Sequence, residues 1–392
     1  MPQNVPSGEP AALRGLLAGI IEENGALPEK WASAITAVPR RLHLPRVIWQ
    51  RDDQGNYIAI DAETNFGDWF SAAYAATSVV TQVNDGNPVD PDVSAFPSSS
   101  ASAPSIVARM LSMLDPRPGQ RVLEIGTGTG WNAALLAHAI GEDNVVTIEV
   151  DATLAEQAAT ALKQTAPGVR VVCGDGTLGY PEGAPYDHVL ATCSVSAIPE
   201  AWIEQIRPGG TILTPWSRPW CDYGLLHLAV EAGGKAAGRF HPYAAFMRAR
   251  GHRLGLRLFR DVVADDHQPD ESRTSLSPWS VAGDDWDAQF ALGLRCPDLW
   301  HVWHDDPDVD GVATRLWVVT ADGSSWAAVD HDGRQDDEFA VWQHGPRRLW
   351  NEVEAAWHWW TAKGRPEPSC FGLTVAGAKQ EVWLGVPQTV VN

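Results

Sequence analysis

The feature that most constrains the fold is a short apolar run, Val122-Leu123-Glu124-Ile125, that passes without a break into Gly126-Thr127-Gly128-Thr129-Gly130. A strand buried on both faces reads as a brief apolar run, and glycines at its end mark a tight turn into a helix. Residues 132–140 carry the helical pattern that should come next, and the same alternation continues downstream. Residues 145–148 predict a second strand and 154–163 a second helix. Three more strands are expected at 169–173, 188–192 and 211–214, with a helix over 199–206 before the last. Strands separated by helices specify a parallel sheet with right-handed crossovers, a Rossmann-like α/β layer. The apolar run 225–230 points to an antiparallel strand near the end of that sheet.

The turn also selects among ligands. A dinucleotide fingerprint, G-x-G-x-x-G, needs a third glycine where this chain has Trp131, so dinucleotide binding is disfavoured. The form E-x-G-x-G-x-G, from Glu124 to Gly130, is that of S-adenosylmethionine-dependent methyltransferases, in which no pyrophosphate has to be cradled. An acidic residue about 20 positions on, at the end of the second strand, should hold a ribose diol, and Glu149 stands there. Ligands of such sheets sit outside the carboxyl ends of the strands. The expected cofactor residues are therefore Glu124, Gly126, Thr127, Gly128, Gly130, Glu149, Asp175 and Gly176, with Thr192 close by. A glycine turn alone can be mere tight packing; Glu149 and Gly174-Asp175-Gly176 tip the balance toward a cofactor site.

The run Gly174-Asp175-Gly176-Thr177-Leu178-Gly179-Tyr180, with Ala184-Pro185-Tyr186-Asp187 after it, resembles the protein-L-isoaspartate O-methyltransferase family. So do Val38-Pro39-Arg40 and Ser102-Ala103-Pro104-Ser105-Ile106-Val107-Ala108-Arg109-Met110, and the likeness covers roughly residues 13–250. Two features depart from the repair enzymes. Phe96-Pro97-Ser98-Ser99-Ser100-Ala101-Ser102 replaces their G-x-x-Q-T-I-S segment, and the chain continues well past the sheet. With Ala191-Thr192-Cys193-Ser194-Val195 and Phe246-Met247-Arg248, these features look closer to the branch found with ATP-grasp peptide maturases. That resemblance implies methylation of an aspartate in a ribosomally made, pre-crosslinked peptide (a graspetide), the ester then closing to a succinimide; the family at large implies isoaspartyl repair. Ser102 aligns with the family's active-site serine, and the resemblance implies that its hydroxyl meets the acceptor carboxylate. An equally simple reading makes Ser102 a helix cap. A carboxylate is already ionised at neutral pH, so no general base is expected.

A chain of 392 residues exceeds one ordinary domain. The expected division is 1–95, an N-terminal helical, substrate-side segment; 96–250, the methyltransferase domain; and 251–392, an accessory domain. Leu13, Leu16, Leu17, Ile20 and Ile21, then Trp31, Ile35 and Val38, predict two helices within residues 11–45. Residues 51–98 read as turns, among them Asn65-Phe66-Gly67, Asn84-Asp85-Gly86 and Asp90-Pro91-Asp92. Twelve of the 19 tryptophans fall between Trp279 and Trp383, which suggests either an aromatic core or a peptide-gripping surface.

A formal charge of −20 repels a phosphate backbone, so nucleic acid is excluded as an expected partner. No apolar run reaches membrane-spanning length, and the polar first residues lack a secretory pattern, which points to the cytoplasm. Five scattered cysteines suggest reduced thiols. No metal is expected: Asp306-Pro307-Asp308-Val309-Asp310-Gly311 imitates a calcium loop, but its twelfth position is Trp317, and the histidines lack ligand spacing. Cys193 reads as a small buried hydrophobe, not a nucleophile. A catalytically silent peptide binder is disfavoured, having no need of a complete cofactor loop.

Overall fold

The computed structural model describes residues 6–89, 95–305, 311–333 and 338–391. The chain forms two compact units. One comprises Met1–Cys193, Pro199–Leu213 and Ala229–Gly234, and the other Ser194–Ile198, Thr214–Leu228 and Lys235–Asn392. The Asp90-Pro91-Asp92 turn and residues 306–310 of the calcium-loop imitation lie outside the described residues.

The first unit opens with α1 (Glu9–Asn24) and α2 (Glu29–Ala37), as the periodicity predicts, with Leu16, Ile20, Trp31 and Ile35 turned inward. Residues 47–101 differ from the expected run of turns. Strands β1 (Val47–Arg51), β2 (Tyr57–Asp61), β3 (Val79–Val83) and β4 (Pro97–Ala101) form an antiparallel sheet in the order β2-β1-β3-β4, with α3 (Phe66–Ala73) inserted. Strand β4 reads Pro-Ser-Ser-Ser-Ala, a sequence with almost no strand propensity. It is extended because β3 pairs with it and because its buried hydroxyls find partners. Ser98 Oγ donates to Gln82 Oε1 at 2.8 Å and Thr81 Oγ1 to Ser99 Oγ at 3.2 Å. Helix α4 (Pro104–Leu114) then buries Val107, Met110, Leu111 and Leu114.

The parallel layer comprises β5 (Val122–Ile125), α5 (Trp131–Ile140), β6 (Val145–Glu149), α6 (Ala152–Thr165), β7 (Arg170–Cys173), β8 (Tyr186–Ala191), α7 (Glu200–Glu204) and β9 (Ile206–Arg218). Its order is β9-β8-β5-β6-β7, every neighbouring pair parallel. All residues of β5, β6 and β8 are buried, which is why they are mostly apolar and lack the regular alternation of a half-buried strand. The winding direction changes between β5 and β8, so the crevice at their carboxyl ends is where such a sheet takes a ligand. Strand β9 is longer than expected, and it and β10 (Cys221–Glu231), which holds the 225–230 run, contribute residues to both units.

In the second unit, β11 (Lys235–His241) pairs antiparallel with a later strand, while β12 (Asp270–Thr274), β13 (Leu299–His304), β14 (Thr314–Thr320), β15 (Trp326–His331) and β16 (Phe339–His344) make an antiparallel sheet in the order β12-β16-β15-β14-β13. Helices α8 (Pro278–Ala282), α9 (Trp286–Arg295) and α10 (Leu349–Ala362) and the hairpin β17 (Phe371–Ala376) and β18 (Lys379–Leu384) complete it, β17 being the partner of β11. One core joins Trp350, Val353 and Ala356 of α10 to Leu316, Val318, Val329 and Val341 of the sheet. Another gathers Trp317, Val319 and Trp326 against Leu258 and Val262. Core packing therefore accounts for much of the tryptophan density: Trp317, Trp326, Trp350, Trp360 and Trp383 are buried, and only Trp279 and Trp286 reach 46% and 47% exposure.

No helix among the described residues is long and apolar enough to cross a membrane. No group of three or more His, Cys, Asp or Glu among them is placed to hold a metal.

Candidate active site

The glycine turn is fixed from below by β6. The Gly126 and Thr127 amides donate to the Ile148 carbonyl at 2.8 and 3.1 Å, and the Gly130 amide closes the turn on the Thr127 carbonyl at 2.8 Å. Gly126 has φ 90°, and a Cβ there would stand 2.9 Å from Thr192 Oγ1, so both conformation and the close approach of the β8 end require glycine. Gly176 has the same steric character: a Cβ there would fall 2.5 Å from Ile125 Cγ2 at the end of β5. The carboxyl ends of β5, β7 and β8 thus meet without intervening side chains at Gly126 and Gly176. The Gly176 carbonyl accepts from Trp202 Nε1 at 2.8 Å, and Asp175 accepts from the Thr177 amide and hydroxyl at 2.9 and 2.8 Å.

Glu149 joins this group at the end of β6. Its Oε2 accepts from the Gly128 amide at 2.9 Å and its Oε1 from the Asp151 amide at 3.1 Å. Two backbone donors aim the carboxylate while leaving lone pairs on each oxygen. Asp151 caps α6 through the Thr153 and Leu154 amides and accepts from Gln82 Nε2 at 3.0 Å, tying the β3–β4 pair to the end of β6. An Asp just before a helical run is a readable cap, yet its tie to Gln82 is not visible locally.

Glu124 is placed differently from a ligand-facing residue. It is fully buried, with Oε1 accepting from Asn132 Nδ2 at 2.6 Å and Oε2 from Thr147 Oγ1 at 2.5 Å, and Thr147 in turn meets Thr127 Oγ1 at 2.7 Å. Glu124 and Thr127 therefore brace the turn from beneath. Burial pushes the Glu124 carboxyl up to about 7, against the opposing hydrogen bonds from Thr147 and Asn132 and with help from nearby Glu149. The folded state then binds a proton more tightly than the unfolded chain. The stabilising contribution of that proton is complete below pH 4.5 and is lost as pH rises toward 7. Glu124→Gln should flatten this decline, a difference on the order of 3 kcal/mol across the window, read from urea unfolding at pH 4.5 and 7.5. Parallel pH profiles for the two proteins would contradict the assignment.

On the acceptor side, Gly128 lies under β4: a Cβ on it would be 3.7 Å from the Ser100 carbonyl oxygen. Ser102 comes two residues later, roughly 7 Å further along extended chain. It is half-buried, and the N-cap of α4 is Ala103, with no side-chain cap bond. Ser102 therefore stands one residue before the N-cap position. Cys193 is half-buried where a fully buried side chain was expected, and desolvation still pushes its thiol up to about 12.

Two residues that brace the site are not among the expected site residues, although Arg40 belongs to the Val38-Pro39-Arg40 motif. His43 Nδ1 reaches the Thr129 carbonyl at 3.2 Å and Nε2 faces Thr165 Oγ1 at 3.2 Å, and burial holds the imidazole down at about 4, neutral. The guanidinium of Arg40, also buried, donates to the carbonyls of Ala101 and Ser102, both at 2.9 Å. A separate cavity of about 490 Å³ touches Gly128 and Thr129 from the α6 side, between residues 42–46 and Gln157, Thr160 and Gln164; Glu149, Asp175 and Ser102 do not line it.

Comparison with known proteins bears directly on this arrangement. The family model for protein-L-isoaspartate(D-aspartate) O-methyltransferase matches residues 59–222. A protein-L-isoaspartate O-methyltransferase of Pyrococcus abyssi is 37% identical over 147 residues, covering 37% of this chain and 68% of that protein. The chain belongs to the protein-L-isoaspartate O-methyltransferase family. The family member of Methanopyrus kandleri is 46% identical over 117 residues, 29% of this chain and 52% of its own length. The chain thus spans between about half and two thirds of the length of the curated relatives it matches. A solved structure described as a protein-L-isoaspartate O-methyltransferase, 21% identical, superposes with a TM-score of 0.52 over 95% of this chain and 100% of its own. At that identity the likeness is one of fold alone, and it reaches residues of both units.

Proposed function

We propose that the chain is an S-adenosylmethionine-dependent carboxyl O-methyltransferase acting on the side-chain carboxylate of an isoaspartyl residue in a peptide or protein. The observation that carries this reading is the joint placement of Glu149 and the side-chain-free Gly126 and Gly176 at one end of the sheet, within a chain of this family. The residues fit the cofactor: Glu149 would hold the ribose diol, Gly126 and Gly128 the close approach of the amino-acid end, and Asp175 and Gly176 the base. When bound, the cofactor supplies an electrophilic methyl group. The chain's own task is orientation, because an ionised carboxylate needs no base and alignment alone can contribute several kcal/mol. Ser102 would fix the carboxylate with one hydrogen bond.

A second reading, methylation of aspartate in a crosslinked peptide followed by succinimide closure, is favoured by one feature: the segment 96–102 contains β4, with Ser98 and Ser99 tied to β3, where repair enzymes carry a different segment. Mass spectrometry of an isoaspartyl peptide, its aspartyl counterpart and a side-chain-crosslinked aspartyl peptide after incubation with S-adenosylmethionine separates the two. The proposal expects a gain of one methyl on the isoaspartyl peptide alone; modification only of the crosslinked peptide would replace it with the second reading. Ser102→Ala is expected to lower kcat while leaving S-adenosylhomocysteine affinity and melting temperature unchanged. A loss of stability near the 1 kcal/mol typical of a helix cap, with kcat retained, would contradict that role.

A further inference from the structure

Arg40 is 1% exposed and makes no ion pair among the described residues. Its guanidinium spreads over two segments far apart in the chain. Nη1 reaches the carbonyls of Ala73 and Ala75 at 3.4 and 3.2 Å, and Nη2 those of Thr77, Ala101 and Ser102 at 3.3, 2.9 and 2.9 Å. Its Cζ lies 5.7 Å from the centre of the Trp131 ring, and Trp131 Nε1 donates to the Val38 carbonyl at 2.9 Å. Trp131 is the first residue of α5, directly after the glycine turn. Residues 38–40 thus bolt the helix after the cofactor turn to the strand end that carries Ser102. Leaving a cation in such a place without an acid is unfavourable in itself, and a methionine of similar volume would pack there without that penalty. What only a guanidinium offers is a rigid fork of donors able to grip several carbonyls at once.

We propose that Arg40 is a positioning residue, which acts through the Ala101 and Ser102 carbonyls to set the Ser102 hydroxyl at a fixed distance from the glycine turn. The proposal rests on the methyl-transfer reading. A misplacement of about 1 Å lowers an orientation-dependent rate by about 100-fold, so the consequence falls on turnover and not on cofactor affinity.

The test compares wild type, Arg40→Lys and Arg40→Gln on an isoaspartyl peptide, with calorimetry of S-adenosylhomocysteine and circular dichroism as controls. Arg40→Lys, which keeps the charge and loses the fork, should drop kcat by about 100-fold and hold cofactor affinity within about threefold, as should Arg40→Gln. Wild-type kcat in Arg40→Lys, or equal losses of kcat and cofactor affinity, would overturn the proposal. An inactive wild type would instead sink the methyl-transfer reading. Hydrogen exchange on the wild-type protein gives an answer even if both variants unfold. The amides of residues 107–110, the first hydrogen-bonded turn after Ser102, should be protected without ligands to the same degree as those of α5, and fast exchange there would overturn the proposal.

Discussion

Glu149→Ala is expected to weaken S-adenosylhomocysteine binding by roughly 10- to 150-fold, the effect of losing charge-assisted hydrogen bonds worth about 1.5–3 kcal/mol. The carboxylate has two jobs in this fold. It faces the carboxyl end of the sheet, and it accepts from the Gly128 and Asp151 amides, so it also shapes the turn that would receive the cofactor. Truncation removes both, and the two freed amides would be left to water. Calorimetry on a variant shown to be folded measures the loss. Unchanged affinity would remove Glu149 from the cofactor site and leave it a bracket for the turn.

Trp350→Ala should destabilise the second unit by about 3–5 kcal/mol, the range for deleting a buried large aromatic side chain. Trp350 is 2% exposed and packs within the core formed by Val353, Ala356, Leu316, Val318 and Val329. Its Nε1 is buried with no hydrogen-bond partner among the described residues, so part of the loss is offset by removing that donor. Denaturant unfolding followed by tryptophan fluorescence reads the change. Because every proposed cofactor residue belongs to the first unit, S-adenosylhomocysteine affinity measured below the transition should match wild type. A change below about 1 kcal/mol would mean that the tryptophan is not a core element.

These cases show which physics is visible in one dimension. The sheet at β5, β6 and β8 is readable because strands buried on both faces cannot alternate, and the glycine turn because positive φ and close contact at Gly126 admit no other residue. Strands β1 to β4 are not readable. Each is only five residues long, and β4 is extended by pairing and by hydroxyl partners on β3, information absent from Pro-Ser-Ser-Ser-Ala itself.

The site divides in the same way. The E-x-G-x-G-x-G spacing places Glu124 beside a cofactor, but spacing does not say which way a side chain turns, and Asn132 and Thr147 draw it into the core. Arg40 stands in a recognisable motif, yet its partners are backbone carbonyls 33 to 62 residues away, which no local pattern encodes. Tryptophan density promises either a surface or a core, and burial settles most of the residues as core.

The proposed function stands on one step, transfer of a methyl group to a carboxylate. Incubation of the full chain with S-adenosylmethionine labelled in its methyl group and an isoaspartyl peptide, followed by mild alkali, tests it most directly. Label is expected on the peptide and should leave as volatile methanol on raising the pH, as a carboxyl methyl ester must. Label that survives alkali on the peptide, or no transfer by a protein that binds S-adenosylhomocysteine, would contradict it.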